Sequence, residues 1–139
     1  MRKLSWKQVM AAEFDPSSVA TSSASIGDIK INPSLNVQKI KDALKRLMKD
    51  DFASFAKARD FDYIISDAKA RQFGETVPGG KAVAWFSSGN PDVCFIKRDY
   101  VNKADVDDIA RTIVHEATHG RKPGYGEWSA EEAERHVLK

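Results

Sequence analysis

Asp107-Asp108-Ile109-Ala110-Arg111-Thr112-Ile113-Val114-His115-Glu116-Ala117-Thr118-His119-Gly120 reads as a helix that carries chemistry on one face. Ile109, Ile113 and Ala117 recur every four residues, which lays an apolar stripe along one side. Asp105, Asp107 and Asp108 bring negative charge to the first turn, where the helix dipole favours it. Gly120, followed by Pro123 and Gly124, predicts a stop just past the second histidine. Within such a helix His115 and His119 lie four residues apart, so their imidazoles leave the same face one turn apart. Two imidazoles so placed suit one Zn²⁺, for which His nitrogen is an ordinary ligand. Glu116 stands beside the first of them, within reach of a zinc-activated water as general base.

The rest of the chain bounds what such a centre can belong to. A length of 139 residues predicts a single domain over 1–139 with one core, in which 1–34 is a more loosely packed N-terminal segment. At 42% hydrophobic and 30% charged the composition is that of a globular chain, and a formal charge of +2 gives no signal for nucleic acid. The single cysteine, Cys94, excludes an internal disulfide, and its neighbours Val93, Phe95 and Ile96 predict a buried thiol. Arg2 and Lys3 are not followed by the apolar run of a signal peptide, and no stretch approaches the ~20 apolar residues that cross a bilayer. A cytoplasmic chain is expected, with no membrane association. A fragment cut from a secreted effector would read the same way.

In order along the chain, Leu4 to Phe14 predicts a short helix ended by Pro16, and residues 17–25 a loop. Ile29-Lys30-Ile31 alternates as a half-buried strand, and Asn32-Pro33-Ser34 marks a turn before a helix. From Leu35 to about Arg59 the residues Val37, Ile40, Leu44, Leu47, Met48, Phe52 and Phe55 form one apolar stripe, with lysines on the other faces. This predicts a scaffold helix behind the metal helix, with a weak point at Asp50-Asp51. Tyr63-Ile64-Ile65 reads as a strand. The runs 82–86 and 93–96, joined by residues 87–92, read as an antiparallel pair. The strand 93–96, bordering a cleft, would pair with an extended substrate. Ser129-Ala130-Glu131-Glu132 fits an N-cap and capping box for a last helix running to the chain end. The fold class expected is α+β: a short mixed or antiparallel sheet packed on the scaffold helix and the metal helix.

Catalytic zinc takes three protein ligands and keeps a position open. Beyond His115 and His119 the downstream candidates are Glu127, Glu131, Glu132, Glu134 and His136. With H-E-x-x-H followed by a glutamate-rich helix, the chain resembles the zincin metallopeptidases, and among them the glutamate-ligand gluzincins. The resemblance is specific from His115 to about Ala133 and architectural for the sheet before it. It implies a small mixed sheet packed on two helices, the first carrying H-E-x-x-H and the second supplying a glutamate. Glu132-Ala133 is similar to the Glu-Ala that opens the ligand helix of IrrE-like peptidases, which implies a metal set of His115, His119 and Glu132. Glu127-Trp128-Ser129-Ala130-Glu131 is similar to the E-x-x-A-E arrangement of toxin-type gluzincins, so Glu127 stays open. Glu134, near the Ala130, Ala133 and Val137 face, stays open too. His136 does not match the H-E-x-x-H-x-x-G-x-x-H spacing of three-histidine sites, and the loop after His119 is short for a gluzincin.

The function expected is hydrolysis of peptide bonds in a protein or peptide substrate by a zinc-activated water, with Glu116 as general base. So compact a chain suits a toxin or effector-type protease. Tyr125 is a candidate hydrogen-bond donor to an oxyanion. The alternative is a regulatory or binding module that keeps the zincin shape without turnover.

Overall fold

The computed structural model describes residues 25–26, 29–121 and 127–139, the side chains of 25, 121 and 127–129 excepted. The helix expected at 4–14 and residues 17–24 of the loop after it lie outside the described residues; Ser25, expected in that loop, opens a strand instead. The fold is α+β. Five strands form one mixed sheet: β1 (Ser25–Ile26), β2 (Ile29–Ile31), β3 (Tyr63–Ser66), β4 (Ala84–Phe86) and β5 (Val93–Ile96), in the order β1-β2-β3-β5-β4. The inner strands β2, β3 and β5 are parallel, with Ile31 beside Ile64 and Ile64 beside Cys94. The edge strands β1 and β4 run antiparallel to their neighbours, and Trp85 stands opposite Phe95.

The apolar run of β5 follows from this position. Cys94 and Ile96 enter the main core while Val93 and Phe95 enter a smaller cluster on the opposite face, so every side chain is buried. The smaller cluster is closed by a 3-10 segment (Asp67–Phe73) that the sequence did not announce, with Trp85 stacked on Phe95 at 5.1 Å. β5 is therefore paired on both sides. Among the described residues the edge strand beside the cleft is β4, not the 93–96 segment that the sequence suggested for substrate pairing.

The scaffold helix forms and breaks where Asp50-Asp51 predicts. α1 (Val37–Asp50) opens with the Asn36 side chain accepting from Lys39 N, and buries Ile40, Ala43, Leu44 and Leu47. Asp51 leaves helical geometry at φ −151°, and its carboxylate caps α2 (Phe52–Ala58). The restart turns α2 so that Phe55 faces inward. Met48 and Phe52, read as part of the stripe, are instead 39% and 56% exposed. Leu44→Ala, which empties a fully buried site, should cost about 2–5 kcal/mol, read by thermal or denaturant unfolding.

A short helix α3 (Arg98–Lys103) leads into α4 (Val106–Arg121), whose first turn is capped by the Asp105 carboxylate accepting from Asp108 N at 2.8 Å. α1, α2 and the last helix, α5 (Glu127–His136), all pack on α4, which also meets β4 and β5. α4 ends at Arg121, two residues past His119, as the Gly120, Pro123 and Gly124 signals predicted. A Cβ at Gly120 would stand 3.0 Å from the Phe86 ring, so its hydrogen lets β4 approach the helix. α5 begins at Glu127, which puts Ser129 inside the helix rather than at its cap, and it ends at His136 instead of continuing to Lys139. Of the described residues within 1–34, Ile26, Ile29 and Ile31 belong to the main core. Among the described residues no helix is long and apolar enough to cross a membrane.

Candidate metal centre

α4 is anchored by Ile109, Ala110, Ile113, Val114 and Ala117, each at most 1% exposed. With that face committed to the core, the helical period delivers His115, Glu116 and His119 to the wall of a cleft of about 780 Å³. The opposite wall is β4 with its flanks, including Val83, Phe86 and Lys81, and the rim carries Ser88 and Pro91 of the β4–β5 connection. That connection is held by Glu75, whose carboxylate accepts from Ser87 Oγ at 2.8 Å and from the Asn90 side chain.

His115, Glu116 and His119 each offer a ligand atom, and these atoms all lie within 4.8 Å of one another. The two imidazole centroids are 5.2 Å apart, and His115 Nε2 stands 4.0 Å from a Glu116 oxygen. The side chains of His115 and Glu116 are 12% and 10% exposed, so the donors are largely withdrawn from water yet face the cleft. Two imidazoles and a carboxylate so gathered can hold a metal ion. Nitrogen donors of this kind suit zinc and its first-row neighbours, whereas an all-oxygen set would suit magnesium or calcium.

α5 brings one further residue. Glu134 Oε2 lies 3.1 Å from His115 Nδ1, and Glu134 lines the cleft. Glu132 is directed elsewhere. Its carboxylate is bound by Arg135 and, at 3.2 Å, by His136, and the Arg135 guanidinium, with His136, holds its carboxyl below the usual range. Two residues along a helix turn the side chain by roughly 200°, so Glu132 and Glu134 cannot share a face. Glu131 and His136 are exposed. The Glu127 side chain and Tyr125 lie outside the described residues. The signal for Glu134 was present in the sequence: Ala130, four before it in α5, and Val137, three after it and just past the helix end, are both buried.

Tyr100, which the sequence reading did not single out, supports the same wall. Its hydroxyl stands 2.7 Å from Thr112 Oγ1 and donates to Asp108 O at 3.1 Å, and Thr112 lines the cleft one turn before Glu116. Burial pushes the Tyr100 phenol up, and the carboxylates of Asp108, Glu134 and Asp105 add to it.

Cys94 lies behind the site, fully buried. Burial raises its thiol well above the ordinary value and the nearby Glu116 charge raises it further, so it is protonated at neutral pH and is no nucleophile. Folded protein at pH 7 should leave a thiol-specific dye unreacted, and unfolding should release one reactive thiol per chain. Comparison of the chain with protein families, with curated proteins and with solved structures finds no match.

Proposed function

We propose that this chain is a zinc-dependent peptidase of the zincin type, with His115, His119 and Glu134 holding the metal and Glu116 acting as general base. The observation that carries the reading is the gathering of His115, Glu116 and His119 within 4.8 Å on the wall of one cleft, with Glu134 joining them there through His115. Glu134 replaces Glu132 in the ligand set because its oxygen already stands 3.1 Å from His115 Nδ1.

When bound, zinc supplies Lewis acidity and acidifies a coordinated water toward a pKa of ~7. Glu116 accepts the proton of the attacking water at its carboxylate and delivers it to the departing amine nitrogen. The core packing of α4 fixes that carboxylate beside both imidazoles, so its placement costs no reorganisation during the reaction. β4, the edge strand among the described residues, lines the cleft opposite α4 and could offer backbone groups to an extended peptide, which supports a protein segment over a small metabolite as substrate.

The test is zinc content of the purified protein, together with hydrolysis of casein as an unstructured polypeptide. About one zinc per chain, with activity lost on chelation and recovered on adding zinc, supports the reading. A chain that takes up no zinc when the metal is returned refutes it.

A further inference from the structure

The carboxylate of Asp51 joins parts of the chain that are far apart in sequence. Oδ1 accepts from Ser54 N at 3.2 Å and Oδ2 accepts from Ser54 Oγ at 2.7 Å, which is the cap that starts α2. Oδ2 also accepts the backbone N–H of Leu138 at 2.9 Å, across 87 residues. The Asp51 amide in turn donates to Leu47 O at 2.8 Å and closes α1. One side chain thus links the α1–α2 break to the end of α5.

The far end of this link shows that it is under constraint. Leu138 has φ 62°, and it is the one non-glycine residue with positive φ among the described residues. A leucine is rarely left-handed, and such a conformation persists only where the surroundings hold it. Here it ends the helical path one turn after Glu134 and turns the Leu138 amide onto Asp51. α4 grips the same turn, with Arg111 Nε donating to Val137 O at 3.4 Å and the Val137 side chain buried in the core. Burial pushes the Asp51 carboxyl up, but the Leu138 amide, the Ser54 hydroxyl and amide and the Lys57 charge outweigh it and leave it below its ordinary value. Asp51 is therefore an anion at neutral pH, and its hydrogen bonds are of the stronger, charge-assisted kind.

We propose that Asp51 is a positioning residue for the metal centre: by holding the Leu138 amide it fixes the last turn of α5, and through that turn the place of Glu134 against His115. The proposal rests on the reading of Glu134 as a metal ligand. Asp51 touches neither metal donors nor cleft, and acts only through the α5 backbone.

The test uses Asp51→Asn and a chain lacking Leu138 and Lys139. Asparagine keeps one oxygen to cap Ser54 N, as amides cap about as well as carboxylates, but sets an N–H₂ where the Leu138 amide needs an acceptor. In zinc-free protein, amide exchange across 127–136 should quicken by about tenfold or more in both variants, with the α1 amides at their wild-type rate. Zinc affinity, measured by competition with a chelator, should fall by about 10–100-fold, the range for loss of an outer-shell partner. The truncation also removes the Leu138 side chain from its packing on the core. Adding Asp51→Asn to the truncated chain should change nothing further, because the bond is already gone. Unchanged exchange in α5 overturns the proposal whether or not the chain binds zinc. Wild-type zinc affinity in Asp51→Asn overturns it as well. A wild type that takes up no zinc removes the metal reading instead, and the exchange rates of the zinc-free chain still decide whether Asp51 holds α5.

Discussion

Glu116→Gln is expected to lower casein hydrolysis by about 10²–10⁴-fold while bound zinc stays at the wild-type level. Glutamine has the size and shape of the carboxylate, so the 8% exposed site keeps its packing. What disappears is the basicity needed to take a proton from water. Metal retention follows because the two imidazoles and Glu134 are untouched. Initial rates on casein and zinc stoichiometry on the same preparation check both halves. Wild-type turnover in the variant would remove Glu116 from the role of base. A zinc-loaded wild type without turnover, whose partner binding survives Glu116→Gln, would favour a zincin-shaped binding module.

Glu134→Ala is expected to weaken zinc binding by more than the about 10–100-fold that an outer-shell loss costs, whereas Glu132→Ala should leave affinity unchanged. The contrast rests on where two carboxylates of one helix point. Glu134 meets His115 over the cleft, and Glu132 meets Arg135 and His136 at the surface. Their removal therefore touches different chemistry even though two positions separate them. Chelator competition on the two variants and on wild type reads the result directly. Loss of zinc in Glu132→Ala with retention in Glu134→Ala would restore the ligand that the likeness to IrrE-like peptidases implies.

Patterns that depend on neighbours in sequence were legible from residues alone. The four-residue spacing in α4 placed the apolar stripe and both histidines, and alternation in Ile29-Lys30-Ile31 gave β2 with its buried outer residues. Asp50-Asp51 marked the helix break, because aspartate competes for backbone amides. What depended on distant partners was not legible. The apolar runs at β3 and β5 do not say that they lie parallel, since pairing is set by the crossover between them. Nor could a capping-box pattern reveal that α5 starts two residues before Ser129. The rotation of that helix, which turns Glu134 toward the cleft and Glu132 toward Arg135 and His136, follows from burial of Ala130 and, just past its end, Val137.

His115 belongs to α4 and Glu134 to α5, so a cation held by both is a cross-link between two helices. The unfolded chain has no such pair of donors in register. Occupancy and folding are then thermodynamically linked, and the metal adds RT ln(1 + [M]/Kd) to the stability of the native state, about 2.7 kcal/mol at a free concentration of 100 Kd. Melting temperature should accordingly climb with the logarithm of free zinc above Kd, and in Glu134→Ala the climb should begin only at zinc concentrations higher by the factor its affinity loses. On the proposed ligand set, the free-ion level of the surroundings would then set how firmly α4 and α5 are held together.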